Sequence, residues 1–207
     1  MASEIPDRIH VLGASGSGTT TLGGAIAQAF GHVHLDTDDY YWEPTDPPFQ
    51  QKREPVARVQ MLGAALDANP RWVLSGSLCG WGDVFIPRFD LVIFLFAPTD
   101  VRLARLLERE RRRFGADALA PGGPMQGIHQ AFMVWAAGYD DGGEEMRSRR
   151  QQERWLAALP CPLIRLEEPV GVAEQMAGLA ERLAARAGPR SASPAPGSGV
   201  PMSGDIG

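Results

Sequence analysis

A chain of 207 residues suffices for one well-packed domain and a short tail. Its 44% hydrophobic and 22% charged residues are the composition of an ordinary globular protein, not of a fibrous or disordered one. A net charge of −5 argues against a nucleic-acid coat or a binder of anionic membranes, and no apolar run approaches the ~20 residues of a membrane span.

Near the N-terminus, acids stand where a signal peptide would have an apolar core, so a cytoplasmic protein is expected. Arg8–Leu12 is a short apolar run that predicts a buried strand, and Gly18–Phe30 predicts a helix. Between them lies Gly13-Ala-Ser-Gly-Ser-Gly-Thr-Thr-Thr21. Strand, glycine-rich turn and helix together form the context of a phosphate-binding P-loop. Glycines let consecutive backbone N–H groups converge on one point, and the helix N-terminus adds partial positive charge. The spacing G-x-x-x-x-G-K-[ST] is met by Gly13, Gly18 and Thr20, with Thr19 at the lysine position. Gly13, Ala14, Ser15, Gly16, Ser17, Gly18, Thr19, Thr20 and Thr21 are therefore the candidate nucleotide seat, and Thr20 is the expected magnesium-side hydroxyl. The alternative is a structural glycine turn. Losing one charge-assisted contact at Thr19 costs about 1.5–3 kcal/mol. That weakens nucleotide handling unless an arginine substitutes. The chain has 19 Arg but only one Lys, Lys52.

His32–Asp36 reads as the second strand. Asp36-Thr-Asp-Asp39 closes it at the end where open α/β sheets bind ligands. Three carboxylates there repel one another unless a cation or a substrate donor neutralises them. Asp36 and Asp38 are candidates to orient Mg²⁺ or to accept a proton from a substrate hydroxyl. A solvated turn with an N-cap is the other reading. Tyr40, Tyr41 and Trp42 fit either a pocket wall or sheet-edge packing. His32, His34 and Asp36 would share one strand face, like the start of a dinuclear metal-hydrolase site. Thr37 at the last histidine position, and only four histidines in all, weigh against that.

Residues 50–69 predict a helix, and Arg71–Leu74 a third strand. Ser75–Asp83 follows as a loop with three glycines and a Trp, suited to close contact with a ligand or simply to the surface. Leu91–Ala97 and Pro162–Leu166 complete five apolar runs separated by helical patterns, the signature of a doubly wound parallel α/β sheet. Val101–Phe114 and Val172–Ala187 are helices; Met176, Leu179 and Leu183 form the sheet-facing stripe of the second. The piece from Gly115 to about Leu159 is too long for a simple crossover. It carries helix-like patches at Gln130–Ala137 and Glu144–Leu159 and reads as a moving insertion. Arg102, Arg105, Arg109, Arg112 and Arg113 enter it, and Arg147, Arg149 and Arg150 lie within it. Such arginines either clamp a transferring phosphoryl group or form a solvated face. Cys79 and Cys161 form no metal or redox motif and read as thiols of a reducing compartment. From Gly188 the composition is that of a disordered tail, leaving residues 1–187 as one domain.

The Gly13–Thr21 loop, His34-Leu-Asp36, Tyr41-Trp-Glu-Pro44, Trp72-Val-Leu-Ser-Gly76, Phe89–Leu95, the arginine-bearing helix and the late arginine cluster resemble P-loop nucleoside and nucleotide kinases of the adenylate-kinase-like group. The resemblance covers about residues 7–187 and is similar to small bacterial topology modulation proteins. It implies a five-stranded sheet of order 2-3-1-4-5, a mobile lid, and ATP with Mg²⁺. It also implies transfer of the γ-phosphoryl to a small molecule or nucleotide. Asp36, Asp38, Arg109, Arg147, Arg149 and Arg150 would then be the catalytic set, with Thr20 and Asp36 on the metal. Thr19, and Ser75 where such kinases often carry a magnesium-orienting aspartate, depart from the pattern. The second expectation is therefore a nucleotide-binding protein without turnover that signals by lid closure.

Overall fold

The computed structural model of the chain describes residues 5–168 and 170–187; the expected disordered tail lies outside them. Five parallel strands, β1 (Arg8–Gly13), β2 (Val33–Asp36), β3 (Trp72–Ser75), β4 (Leu91–Leu95) and β5 (Leu163–Leu166), form one sheet in the order β2-β3-β1-β4-β5. This is the α/β architecture and strand order expected. Period-2 alternation feeds both faces of the buried strands. Ile9, Val11, Val73 and Ile93 pack on one side beneath α1 (Thr19–Phe30) and α8 (Val172–Ala187). Leu12, Leu74 and Phe94 pack on the other, beneath α3 (Pro55–Asp67) and α7 (Arg149–Ala157).

Two boundaries differ from expectation for identifiable reasons. His32 is not in a strand: its N–H is donated to the Ala27 carbonyl as α1 ends on the left-handed Gly31. Its ring sits 3.0 Å from the Pro6 carbonyl. So His32 and His34 do not share a strand face, and the dinuclear metal reading loses its geometry. The helix expected from Glu144 starts at Arg149, because Ser148 caps it by accepting from the Gln151 N–H at 3.1 Å. Trp155 and Leu156 of α7 then join the core. Among the described residues, α5 (Ala116–Leu119) and α6 (Gln126–Ala137) add nothing to either core cluster. They follow α4 (Thr99–Phe114), against which α6 lies, and α2 (Thr37–Tyr41) extends β2. No described helix is long and apolar enough to cross a membrane.

Candidate phosphate site and acceptor cleft

Gly13, Asp36 and Ser75 all stand at the C-terminal ends of their strands, so the sheet itself gathers three loops on one edge. The glycine-rich loop leaves β1 at Gly13 and enters α1 through Gly18, whose φ of 106° is one that L side chains rarely adopt. A Cβ built on Gly18 would meet nothing within 4 Å, so the backbone there borders open space. The first turn of α1 has no side-chain cap and no acid. An uncapped helix start of this kind, with the dipole's positive end unopposed, is chemically suited to an anion. Ala14 and Ser17 are buried, Ser15 lines a cleft, and Gly16 has a φ of 83°. Thr19, Thr20 and Thr21 form the first turn.

Thr20 Oγ1 donates to Asp36 Oδ2 at 2.8 Å, and the other oxygen of Asp36 accepts from the Asp38 N–H at 3.0 Å, capping α2. A hydroxyl and a carboxylate paired at a helix N-terminus are hard oxygen donors of the kind Mg²⁺ takes beside a nucleotide phosphate. The donor set fits that ion.

Ser75 is fully buried and donates to the Thr19 carbonyl at 3.1 Å. With its one hydrogen so committed, Ser75 Oγ accepts from His34 Nε2 at 2.9 Å. This three-way bridge locks α1 onto β3. A Cβ on Gly23 would fall 2.1 Å from that oxygen, so only glycine permits the approach. Burial, opposed by the Asp36 and Asp39 charges, holds the His34 ring below its ordinary value.

Beside the loop opens a cleft of about 580 Å³, within the range of small-molecule sites. Asp38, Arg109 and Arg147 of the expected catalytic set line it. Burial, then the Asp36 charge, pushes the Asp38 carboxyl up against the downward pull of Arg147 and Arg109. Tyr41 and Trp42 are cleft wall, whereas Tyr40 packs on the core. Cys79, Gly80 and Trp81 bring the Ser75–Asp83 loop to the same cavity.

Arg149 and Arg150 are not brought there. The Ser148 cap turns Arg149 over the Phe96 ring at 4.6 Å, and Arg150 is exposed. Two further cations stand by the site, one from the expected arginine group entering the insertion and one, Arg58, that the sequence does not single out. Arg105 reaches the loop itself, 3.2 Å from the Ser17 carbonyl. Arg58 of α3 lines the cleft with its guanidinium 4.0 Å from the Tyr41 ring centre. Nothing in a lone arginine on an ordinary helix marks it; only an aromatic next to the Asp36–Asp39 turn hinted at a partner.

No family model matches the chain. It is 47% identical over 167 residues to the uncharacterized protein YqaC of Bacillus subtilis, covering 81% of this chain and 92% of that protein. It is 27% identical over 114 residues to a cytidylate kinase of Archaeoglobus fulgidus, covering 50% of this chain and 62% of that one. Shikimate kinase from Bacteroides thetaiotaomicron superposes with a TM-score of 0.50 at 19% identity, over 86% of this chain and 98% of that one. Deoxyadenosine kinase from M. mycoides gives 0.52 at 14% identity, over 86% and 99%. Both share the five-stranded parallel sheet with helices on either side. With 47% identity across 92% of that relative's length, the chain belongs to the family of Bacillus subtilis YqaC, and its fold is that of the P-loop kinases.

Proposed function

We propose that this protein is a cytoplasmic phosphotransferase that moves the γ-phosphoryl of ATP to a small-molecule or nucleotide acceptor with Mg²⁺. The observation that carries the reading is the Thr20–Asp36 pair at 2.8 Å, set between the uncapped start of α1 and a cleft bearing Asp38. In this reading the amides of Gly16, Gly18, Thr19 and Thr20 hold the nucleotide phosphates, the Ser17 N–H being donated to the Ala14 carbonyl at 3.0 Å, and Thr20 and Asp36 hold the ion. Mg²⁺ when bound supplies charge neutralisation at the phosphates. Asp38 accepts the proton of the acceptor hydroxyl, and its raised pKa makes it a better base than a free carboxylate. Arg109 and Arg147 bring positive charge to the cleft side of the transferring group. Of the expected insertion from Gly115 to about Leu159, α7 packs on the core, so the part proposed as the lid is residues 115–147.

Gly18→Val places a branched side chain in the open space beside the loop and is expected to abolish ATP binding, measured by calorimetry. Thr20→Val, which keeps the shape, should remove the Mg²⁺ dependence of that binding. A folded Gly18→Val protein with unchanged ATP affinity would overturn the phosphate-seat assignment. Thr19 and Ser75 favour a second reading, a nucleotide binder without turnover. Its signature is ATP binding with no transfer or hydrolysis in wild type, and turnover gained in Thr19→Lys.

A further inference from the structure

His34 and Asp36 lie two residues apart on β2 and so share one face of the sheet, and in the strand register Ser75 of β3 stands directly opposite Asp36. That face meets the start of α1. Among the described residues, two hydrogen bonds tie α1 to these strands: Thr20 Oγ1 to Asp36 at 2.8 Å, and Ser75 Oγ to the Thr19 carbonyl at 3.1 Å. The second is held from behind by His34, whose Nε2 lies 2.9 Å from Ser75 Oγ. Consecutive residues of the first turn are thus each fixed by one strand. Gly23 and Gly24 let the helix lie against the ring: a Cβ on Gly23 would fall 2.9 Å from His34 Nε2, and one on Gly24 3.7 Å from Nδ1. The phosphate loop has separate anchors. Gln152 and Arg102 hold the Gly13 and Ser15 carbonyls at 3.2 and 3.4 Å, and neither touches β2 or Ser75.

We infer that His34 and Ser75 are positioning residues for the divalent ion: through the Thr19 carbonyl they fix the first turn of α1 so that Thr20 Oγ1 meets Asp36. This rests on the reading that Thr20 and Asp36 hold Mg²⁺ beside a nucleotide phosphate. Ser75 supports the ion site without touching the ion, since it is fully buried and bonded on both sides. The hydrogens run one way, from Nε2 to Oγ and from Oγ to the carbonyl. Position 34 must therefore donate, and position 75 must both donate and accept. Serine meets that demand, whereas an aspartate at 75 would set an acceptor against the Thr19 carbonyl. Without the relay, the first turn keeps only the Thr20–Asp36 bond to β2, and an ion would have to order the turn as it binds. Mg²⁺, with its near-ideal octahedral demand, is sensitive to that looseness.

The test titrates a non-hydrolysable ATP analogue into the full chain by calorimetry, once with Mg²⁺ and once with EDTA. It reads the factor by which Mg²⁺ tightens binding. Groups that orient metal ligands carry about 10–100-fold in affinity, so His34→Leu should cut this factor by about tenfold. Binding in EDTA, which uses the loop amides, should change little. Ser75→Ala should match His34→Leu, and His34→Gln, whose amide nitrogen can donate from where Nε2 lies, should restore most of the factor. Ser75→Asp should lower it as well. Urea midpoints are followed for every variant. A purely structural role would lower the midpoint and leave the factor as in wild type, and that result overturns the inference. So does a factor raised by Ser75→Asp, or an equal loss in His34→Gln and His34→Leu. In the ligand-free chain, ¹⁵N spectra of the His34 ring should place its hydrogen on Nε2, and a hydrogen on Nδ1 alone overturns the relay. A wild type that binds the analogue equally with and without Mg²⁺ overturns the ion reading and the inference with it. A wild-type factor that survives in every variant removes only the positioning role.

Discussion

In the proposed kinase, Thr19 and Asp36 are the residues on which ion and nucleotide handling would turn, and each can be changed without disturbing its neighbours. Thr19 is tied to Ser75 only through its backbone carbonyl, so its side chain is free to be exchanged. Thr19→Lys adds a charge-assisted contact to any phosphate on the loop, a gain of about 1.5–3 kcal/mol. Calorimetry should therefore show ATP binding tightened about ten- to a hundredfold. Asp36→Asn keeps one oxygen to accept from the Asp38 N–H and turns its NH2 toward Thr20 Oγ1, which can accept in place of donating, and Asn caps helices as well as Asp does. The urea midpoint should stay put. The charge that would hold a divalent ion is gone, so ATP affinity should become indifferent to Mg²⁺. Retained Mg²⁺ dependence would place the ion elsewhere. The Asp36–Asp39 turn was legible in the sequence as a cluster of acids at a strand end. Arg58 was not, because its meaning comes from packing on Tyr41 across two helices.

Between elements, the end of α6 is tethered to the glycine-rich loop by two side-chain relays. Tyr139 donates to Gln152, which donates to the Gly13 carbonyl at 3.2 Å. Asp140 accepts from Arg102, which reaches the Ser15 carbonyl at 3.4 Å and the Ala136 carbonyl at 3.1 Å. Arg102 is fully buried, and burial holds the Tyr139 phenol well above its ordinary pKa, so it remains a donor. Loss of one partner of the Arg102–Asp140 pair should cost about 3–5 kcal/mol, as for other buried pairs. Tyr139→Phe strands the Gln152 oxygen and should cost about 1–3 kcal/mol. Urea unfolding of Arg102→Met and Tyr139→Phe checks both values, and hydrogen exchange at the loop amides should rise in each. If exchange rises only far from Gly13–Gly18, the relays do not steady the loop. These links join residues far apart in sequence through backbone carbonyls, which have no residue-type signature. Strands and the loop motif were readable because their signals are local: period-2 or continuous apolar runs, and fixed glycine spacing. Arg147 separates from Arg149 and Arg150 for a reason equally invisible in the string, the Ser148 cap that starts α7.

At the scale of the whole molecule, the sheet is built around a titratable ring. His10 of β1 is fully buried, stacked 5.0 Å from Phe89 and edge-on to Trp155 at 5.7 Å. Its Nδ1 faces the Leu74 carbonyl at 2.9 Å and so carries the hydrogen, while Nε2 has no partner. Protonating Nε2 would put an unpaired charge into the core, and burial accordingly lowers the pKa from 6.5 to about 4. The sign follows from the proton count. Between about pH 4 and 6.5 the unfolded chain binds the proton and the folded one does not, so stability is complete above 6.5 and falls as the medium is acidified. Over that window the loss approaches about 3 kcal/mol, with about 2 kcal/mol gone by pH 5. His34, also lowered, adds in the same direction, while the raised Asp38 and Asp39 oppose it only near the acid end. A wild-type urea midpoint should thus drop by roughly 1 M between pH 7.5 and 5. His10→Leu leaves the Leu74 carbonyl without its donor at every pH, a constant cost, and removes the titration. The difference between wild type and His10→Leu should therefore change across pH 5–7 and be flat above it. A pH-independent difference would mean that His10 is already charged, or hydrated, inside the sheet.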